Sequence, residues 1–112
     1  MRPITVTVSA ASGISTPVVL DYLVSNFNVG LAVTSSGAHS SKVQVSYDDP
    51  FAAYATDYNT NATWFDHATL TNVTGNAQGS QTTPVRAVRL NKASGAPAVA
   101  LTVVQSGAGM GV

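Results

Sequence analysis

A run of acidic and amide side chains in the middle of the chain has the spacing of metal ligands. Asp57, Asn59 and Asn61 alternate as Asp-x-Asn-x-Asn, the pattern of the first three oxygen ligands in a calcium-binding loop. The rest of that loop does not follow, because its sixth position is Ala62 instead of glycine and its twelfth is Ala68 instead of glutamate. Turns stabilised by these short side chains explain the same residues without an ion. We therefore assign no metal site, and weak calcium binding at 57–61 stays an open alternative.

The two histidines are the other candidates for chemistry. His39 lies among Ser and Gly in a predicted turn, which favours a solvated side chain. His67 follows Trp64, Phe65 and Asp66, and we interpret it as a partly buried structural hydrogen-bonding group. The chain has no Gly-x-Ser-x-Gly sequence to mark a serine nucleophile, and it has no cysteine. The sequence thus predicts no catalytic residue, no cofactor and a protein that is not an enzyme.

Length and charge limit the possible classes of function. The 112 residues suffice for one domain. Five Lys/Arg and five Asp give a net charge of zero, and only 9% of residues are charged, which excludes electrostatic binding to nucleic acid or to a membrane surface. With so few charges, copies of the chain repel each other only weakly. We expect much of the surface to be covered by copies of the chain or by a larger assembly.

Alternation of apolar and polar residues is the main structural signal, and it is clearest at Phe27, Val29, Leu31 and Val33. Strands are predicted over 4–8, 18–20, 27–33, 43–47, 69–73, 85–90 and 99–103, with turns at 35–37, 74–80 and 93–97 and a long excursion over 51–61 that has room for one helical turn. Seven or eight short strands predict an all-β antiparallel sandwich of jelly-roll or Greek-key type. This single domain spans 1–106 and is followed by a flexible Gly-rich tail over 107–112. Alternation does not distinguish jelly-roll from immunoglobulin-like connectivity.

The aromatic residues are concentrated in the middle third of the chain. Tyr54 and Tyr58 lie in the long excursion, and we predict that they form an interface. Trp64 and Phe65 are predicted to be core residues, with a sugar-stacking platform as the alternative.

Two arginines lie three positions apart on a predicted strand, so their side chains point in opposite directions. We expect one of Arg86 and Arg89 to pair with an aspartate near the rim of the core and the other to face a partner.

Five segments together resemble small virion structural proteins of tailed bacteriophages. They lie at 26–30, 43–49, 62–67, 84–91 and 101–107 and include Trp64-Phe65-Asp66-His67 and Pro84-Val85-Arg86. The resemblance covers most of the chain. It implies a capsid decoration or cement protein, β-rich and homotrimeric, whose partner is the major capsid protein of the phage head.

The resemblance further implies a location on the capsid surface of the virion after synthesis in the bacterial host cytoplasm. The start Met1-Arg2-Pro3-Ile4 has no hydrophobic signal segment, which agrees with that expectation. No catalytic residue is transferred from the family. Trp64, Phe65 and His67 are expected to close the sandwich, and the two arginines to fix strand or subunit contacts. The alternative function is a tail-associated or carbohydrate-binding adhesion module.

Overall fold

Antiparallel strands make up nearly all of the regular structure in this computed structural model, which describes residues 3–23, 27–49 and 57–106. The elements are β1 (Ile4–Val8), β2 (Gly13–Ile14), β3 (Val18–Val19), β4 (Asn28–Ser35), β5 (Ser40–Ser46), α1 (Tyr58–Asn61), β6 (Trp64–Asp66), β7 (Ala77–Gln81), β8 (Ala87–Ser94) and β9 (Val99–Ser106). No helix in these ranges has the length and hydropathy needed to span a membrane. The predicted tail over 107–112 and Tyr54 lie outside the described residues.

The strands form two antiparallel sheets that pack face to face. The four-stranded sheet has the order β1-β9-β4-β7, and the five-stranded sheet has the order β2-β8-β5-β6 with β3 also paired to β8. Most connections pass from one sheet to the other, as from β4 to β5 and from β8 to β9. The predicted all-β antiparallel sandwich is confirmed.

The core follows from the strict alternation in β4 and β9. Val29, Leu31 and Val33 are almost fully buried, and Leu31 lies opposite Val103 while Val33 lies opposite Leu101. Residues directly opposite each other in an antiparallel pair point to the same face, so this register builds one continuous apolar layer. Each such burial contributes about 1.5–3 kcal/mol relative to an exposed side chain.

The segment over 74–80, predicted to be a turn, contains most of β7. The residues of β7 that point inward, Ala77, Gly79 and Gln81, are small or polar, so the strand shows no alternation of apolar residues. Gly79 leaves room for the side chain of Leu70 from another segment. A Cβ atom at Gly79 would lie 3.2 Å from the Leu70 side chain. The predicted strand over 69–73 is also wrong: Val73 makes only an isolated bridge to Ser41.

Lys92 is 1% exposed, which is unusual for its type. Its ammonium group donates hydrogen bonds to the carbonyl oxygens of Ala10, at 2.7 Å, and Pro97, at 2.6 Å. The buried charge therefore ties the segment after β1 to the turn between β8 and β9.

His39 is 6% exposed, so the prediction of a solvated side chain is wrong. Its Nδ1 lies 2.9 Å from the Ser41 hydroxyl, and its Nε2 lies 3.0 Å from the Gly75 carbonyl oxygen. Gly95, whose φ is +127°, lies against this side chain, and a Cβ atom there would be 2.7 Å from the Cβ of His39. The β8–β9 turn thus covers a histidine that local polarity alone would place in solvent.

We expect Gly95→Ala to destabilise the protein by about 2–3 kcal/mol, because it combines a strained backbone with a steric clash. Gly75→Ala is the matched control, since nothing lies within 4 Å of its added Cβ. That change should shift stability by at most about 1 kcal/mol. Chemical denaturation measures both, and equal unfolding midpoints would contradict the packing described for Gly95.

Candidate functional site

The outward side of the five-stranded sheet brings together several of the residues that the sequence singles out. Gln44 lies opposite Asp66 on one side and opposite Arg89 on the other. Trp64 points to the same side, two residues before Asp66 on β6. Because alternate strand residues share a face, these side chains form a row across three strands.

Arg89 is at the centre of this row and is only 6% exposed. Its Nε donates to the Gln44 side-chain oxygen at 3.0 Å, and its Nη1 donates to both Asn59 oxygens, backbone and side chain, at 3.0 and 3.1 Å. The guanidinium also lies over the Trp64 ring, 4.1 Å from its centroid. Among the described residues no carboxylate lies within ion-pair distance of it. Burial lowers the pKa of Arg89, but the high starting value keeps the group charged.

Tyr58 is 7% exposed, so its assignment to an interface is wrong. Its ring packs edge-on against Trp64 at a centroid distance of 5.5 Å, and its hydroxyl donates to the Asp48 carbonyl oxygen at 2.7 Å. α1, the described end of the excursion, covers the Trp64–Arg89 pair through Tyr58 and Asn59. With Arg89 on its face and Tyr58 at its edge, Trp64 does not offer the open ring that a sugar platform needs.

The middle residue of the Asp-x-Asn-x-Asn motif, Asn59, takes part in this packing. The Asn59 side chain accepts from Arg89 and donates to the Ser15 carbonyl oxygen at 3.0 Å. A cation at this oxygen would compete with the guanidinium. Within the described ranges no group of three His, Asp, Glu or Cys side chains is placed to hold a metal ion.

One of the two arginines pairs with an aspartate as expected, but the other does not face outward. Arg86 is half exposed, lies 3.6 Å from an Asp49 oxygen, and has its guanidinium 5.0 Å from the centroid of the Tyr22 ring. Arg89, which would then be the residue facing a partner, is instead buried beneath α1. Tyr54, the remaining predicted interface residue, lies outside the described residues.

His67 has both ring nitrogens in hydrogen bonds. Nε2 lies 2.8 Å from the Ser80 carbonyl oxygen, while Nδ1 accepts from the backbone N–H groups of Thr69 and Leu70 at 3.2 and 3.1 Å. These partners require a neutral ring protonated at Nε2. The histidine therefore joins the segment after β6 to β7 and offers no free nitrogen for proton transfer.

Phe65 is 51% exposed, so its assignment to the core is wrong. It lies opposite Val45 and points inward, but β6 is a three-residue edge strand and leaves the ring uncovered.

A second surface is distinguished by the absence of charged side chains. The sequence analysis, which considered residues one at a time, did not identify it. The outward residues of the four-stranded sheet, here called the uncharged face, are Thr5, Thr7, Asn28, Gly30, Ala32, Thr34, Gln78, Ser80, Ala100, Thr102 and Val104. None of the four strands carries a charged side chain. A shallow depression of about 460 Å³ crosses this face, and Gly30 and Ala32 form part of it. The absence of Lys, Arg, Asp and Glu from these strands is the sequence signal that could have identified it.

We expect Arg89→Lys to destabilise the protein by about 2–3 kcal/mol, because lysine cannot reproduce the fork of charged hydrogen bonds to Gln44 and Asn59. Arg86→Lys is the matched control, and loss of its half-exposed ion pair should cost about 0–1 kcal/mol. Denaturant unfolding followed by Trp64 fluorescence measures both. Equal losses of stability would contradict the central position of Arg89.

Asp66 generates a prediction about pH. Hydrogen bonds from Gln44 and Lys42 hold the pKa of this carboxyl below its usual value. A lowered folded-state pKa stabilises the protein above the unfolded-state pKa, and this contribution is lost as the pH falls through the folded-state pKa. Wild type should therefore lose slightly more stability than Asp66→Asn on acidification below about pH 4. Urea titrations across this range test the difference, and parallel curves would refute it.

Comparisons with protein-family models, with curated proteins and with solved structures found no match to this chain.

Proposed function

We propose that this chain is a non-enzymatic structural protein of a tailed-phage virion, a capsid decoration or cement protein. In this proposal it acts as a homotrimer that binds the major capsid protein on the outside of the head and stabilises the shell. It acts by binding alone, in keeping with two histidines whose ring nitrogens are all in internal hydrogen bonds.

The uncharged face carries this proposal. A protein that presents four strands without one charged side chain can dock there without removing water from an ion. Some polar groups on this face also bond to each other, since the hydroxyls of Thr5 and Thr102 lie 3.0 Å apart. Burying such pre-paired groups costs less than burying free ones.

The size of the uncharged face favours several copies acting together. Four strands spaced about 4.8 Å apart, with five to eight residues rising about 3.3 Å each, cover roughly 300–500 Å². A standard interface takes about 800 Å² from each partner, so one copy would bind the shell weakly. Three linked copies raise the avidity without any new type of contact.

Stabilisation of the head then follows from mass action. A ligand that binds the intact shell and not the ruptured one shifts the equilibrium toward the intact shell. A trimer suits local three-fold positions because each subunit meets an equivalent surface.

The test compares phage heads with and without the purified chain during heating and at low salt. Heads carrying the chain should survive to higher temperature. Thr102→Lys places a charge in the uncharged face and should weaken binding to heads by about tenfold or more. Ile14→Lys is the matched control, because Ile14 is 48% exposed on the outward side of the other sheet.

Equal survival of heads with and without the chain would overturn the stabilising role. Equal binding by the two lysine variants, with both folded by circular dichroism, would show that the uncharged face is not the docking surface.

A further inference from the structure

A groove lies where the two sheets separate, between β6 of one sheet and the end of β7 of the other. Val45 is at its base, Tyr47 and Phe65 line one side, and Gln81 and Thr83 line the other. Its volume is about 360 Å³, which falls in the range of small-molecule sites. It is separate from the uncharged face and has a different chemistry.

The aromatic side of the groove is open. Tyr47 and Phe65 are each 51% exposed, and their ring centroids lie 5.8 Å apart at an interplanar angle of 77°. The two rings therefore make a corner that presents apolar surface to anything entering the groove. Because both rings are half exposed, they gain only part of the free energy that full burial would provide. A ligand that stacks on them would bury the rest of their surface.

Polar groups with bonding capacity surround this corner. The Gln81 amide nitrogen donates to the Thr83 carbonyl oxygen at 2.9 Å, which leaves its own carbonyl oxygen available. The hydroxyls of Tyr47 and Thr83 have no protein partner among the described residues.

One hydrogen-bond acceptor on the β7 edge beside the groove is already used within the chain. The Ser80 carbonyl oxygen, which an added peptide strand would use, accepts from His67 Nε2 at 2.8 Å. On the other side β6 offers only three residues. An extended peptide therefore has no continuous strand edge to pair with, and recognition must come from side chains.

We propose that this groove binds a neutral carbohydrate. A pyranose ring has an apolar C–H face that fits an exposed aromatic ring and hydroxyls that both donate and accept. Phe65 and Tyr47 provide the stacking surface, and Gln81 and Thr83 provide the polar contacts. This site goes beyond attachment to the shell and can exist whether or not the chain binds phage heads.

The experiment records amide spectra of the ¹⁵N-labelled chain during titration with glucose, galactose, mannose and N-acetylglucosamine at millimolar concentrations. At least one of these sugars should shift the resonances of Phe65, Gln81 and Thr83 in a saturable way. Phe65→Ala should weaken this binding by about tenfold, because it removes the stacking ring. Ile14→Ala is the matched control, since Ile14 is 48% exposed, does not line the groove and should leave sugar binding unchanged.

Tyr47→Phe removes only a hydroxyl and should weaken binding less than Phe65→Ala does. The proposal is overturned if no sugar shifts these resonances, or if Phe65→Ala binds the sugar as tightly as the wild type does. It is also overturned if Phe65→Ala abolishes binding to phage heads while no sugar binds, because the groove would then be a protein contact.

Discussion

The structure depends on how it uses a very small number of charges. Only 9% of the residues are charged, and two of the cations, Arg89 and Lys92, are buried against neutral acceptors. A third, Lys42, pairs with Asp66. Burying a cation without a carboxylate is costly, so each is stabilised by several hydrogen bonds, and Arg89 also by the Trp64 ring. These interactions hold α1 and two connecting segments against the sandwich, and they leave few charges for the outer surface.

The same distribution separates the molecule into two unlike sides. The outward side of the five-stranded sheet contains the Arg89 row and is partly covered by α1. The uncharged face of the other sheet has no charged side chain on any of its four strands. A protein with this surface has little electrostatic repulsion to keep it from associating with other molecules. Burial of the uncharged face in an assembly would remove small side chains and paired hydroxyls from water at low cost. The placement of charge inside the molecule thus supports the proposed role as a protein that works in an assembly.

Alternation was sufficient to predict the strands that form the core, since β4 and β9 are buried on one face along their whole length. It failed at β7, where Gly79 packs under Leu70 and leaves no apolar signal. It also failed for Arg89 and Phe65, because burial of each depends on whether a distant segment covers it. The Arg89 site requires α1 to fold back over β8, and the exposure of Phe65 results from β6 being a short edge strand. Such contacts are tertiary and leave no periodic trace in the sequence.

The measurement that tests the central claim most directly is the absolute mass of the purified chain by light scattering on a sizing column. We expect a stable species containing three chains of 11.4 kDa each, because one uncharged face is too small to hold a single copy on a shell. The trimer should persist in Thr102→Lys if the uncharged face binds the shell and not a second copy. A single chain of 11.4 kDa at every concentration that protects phage heads would contradict the account.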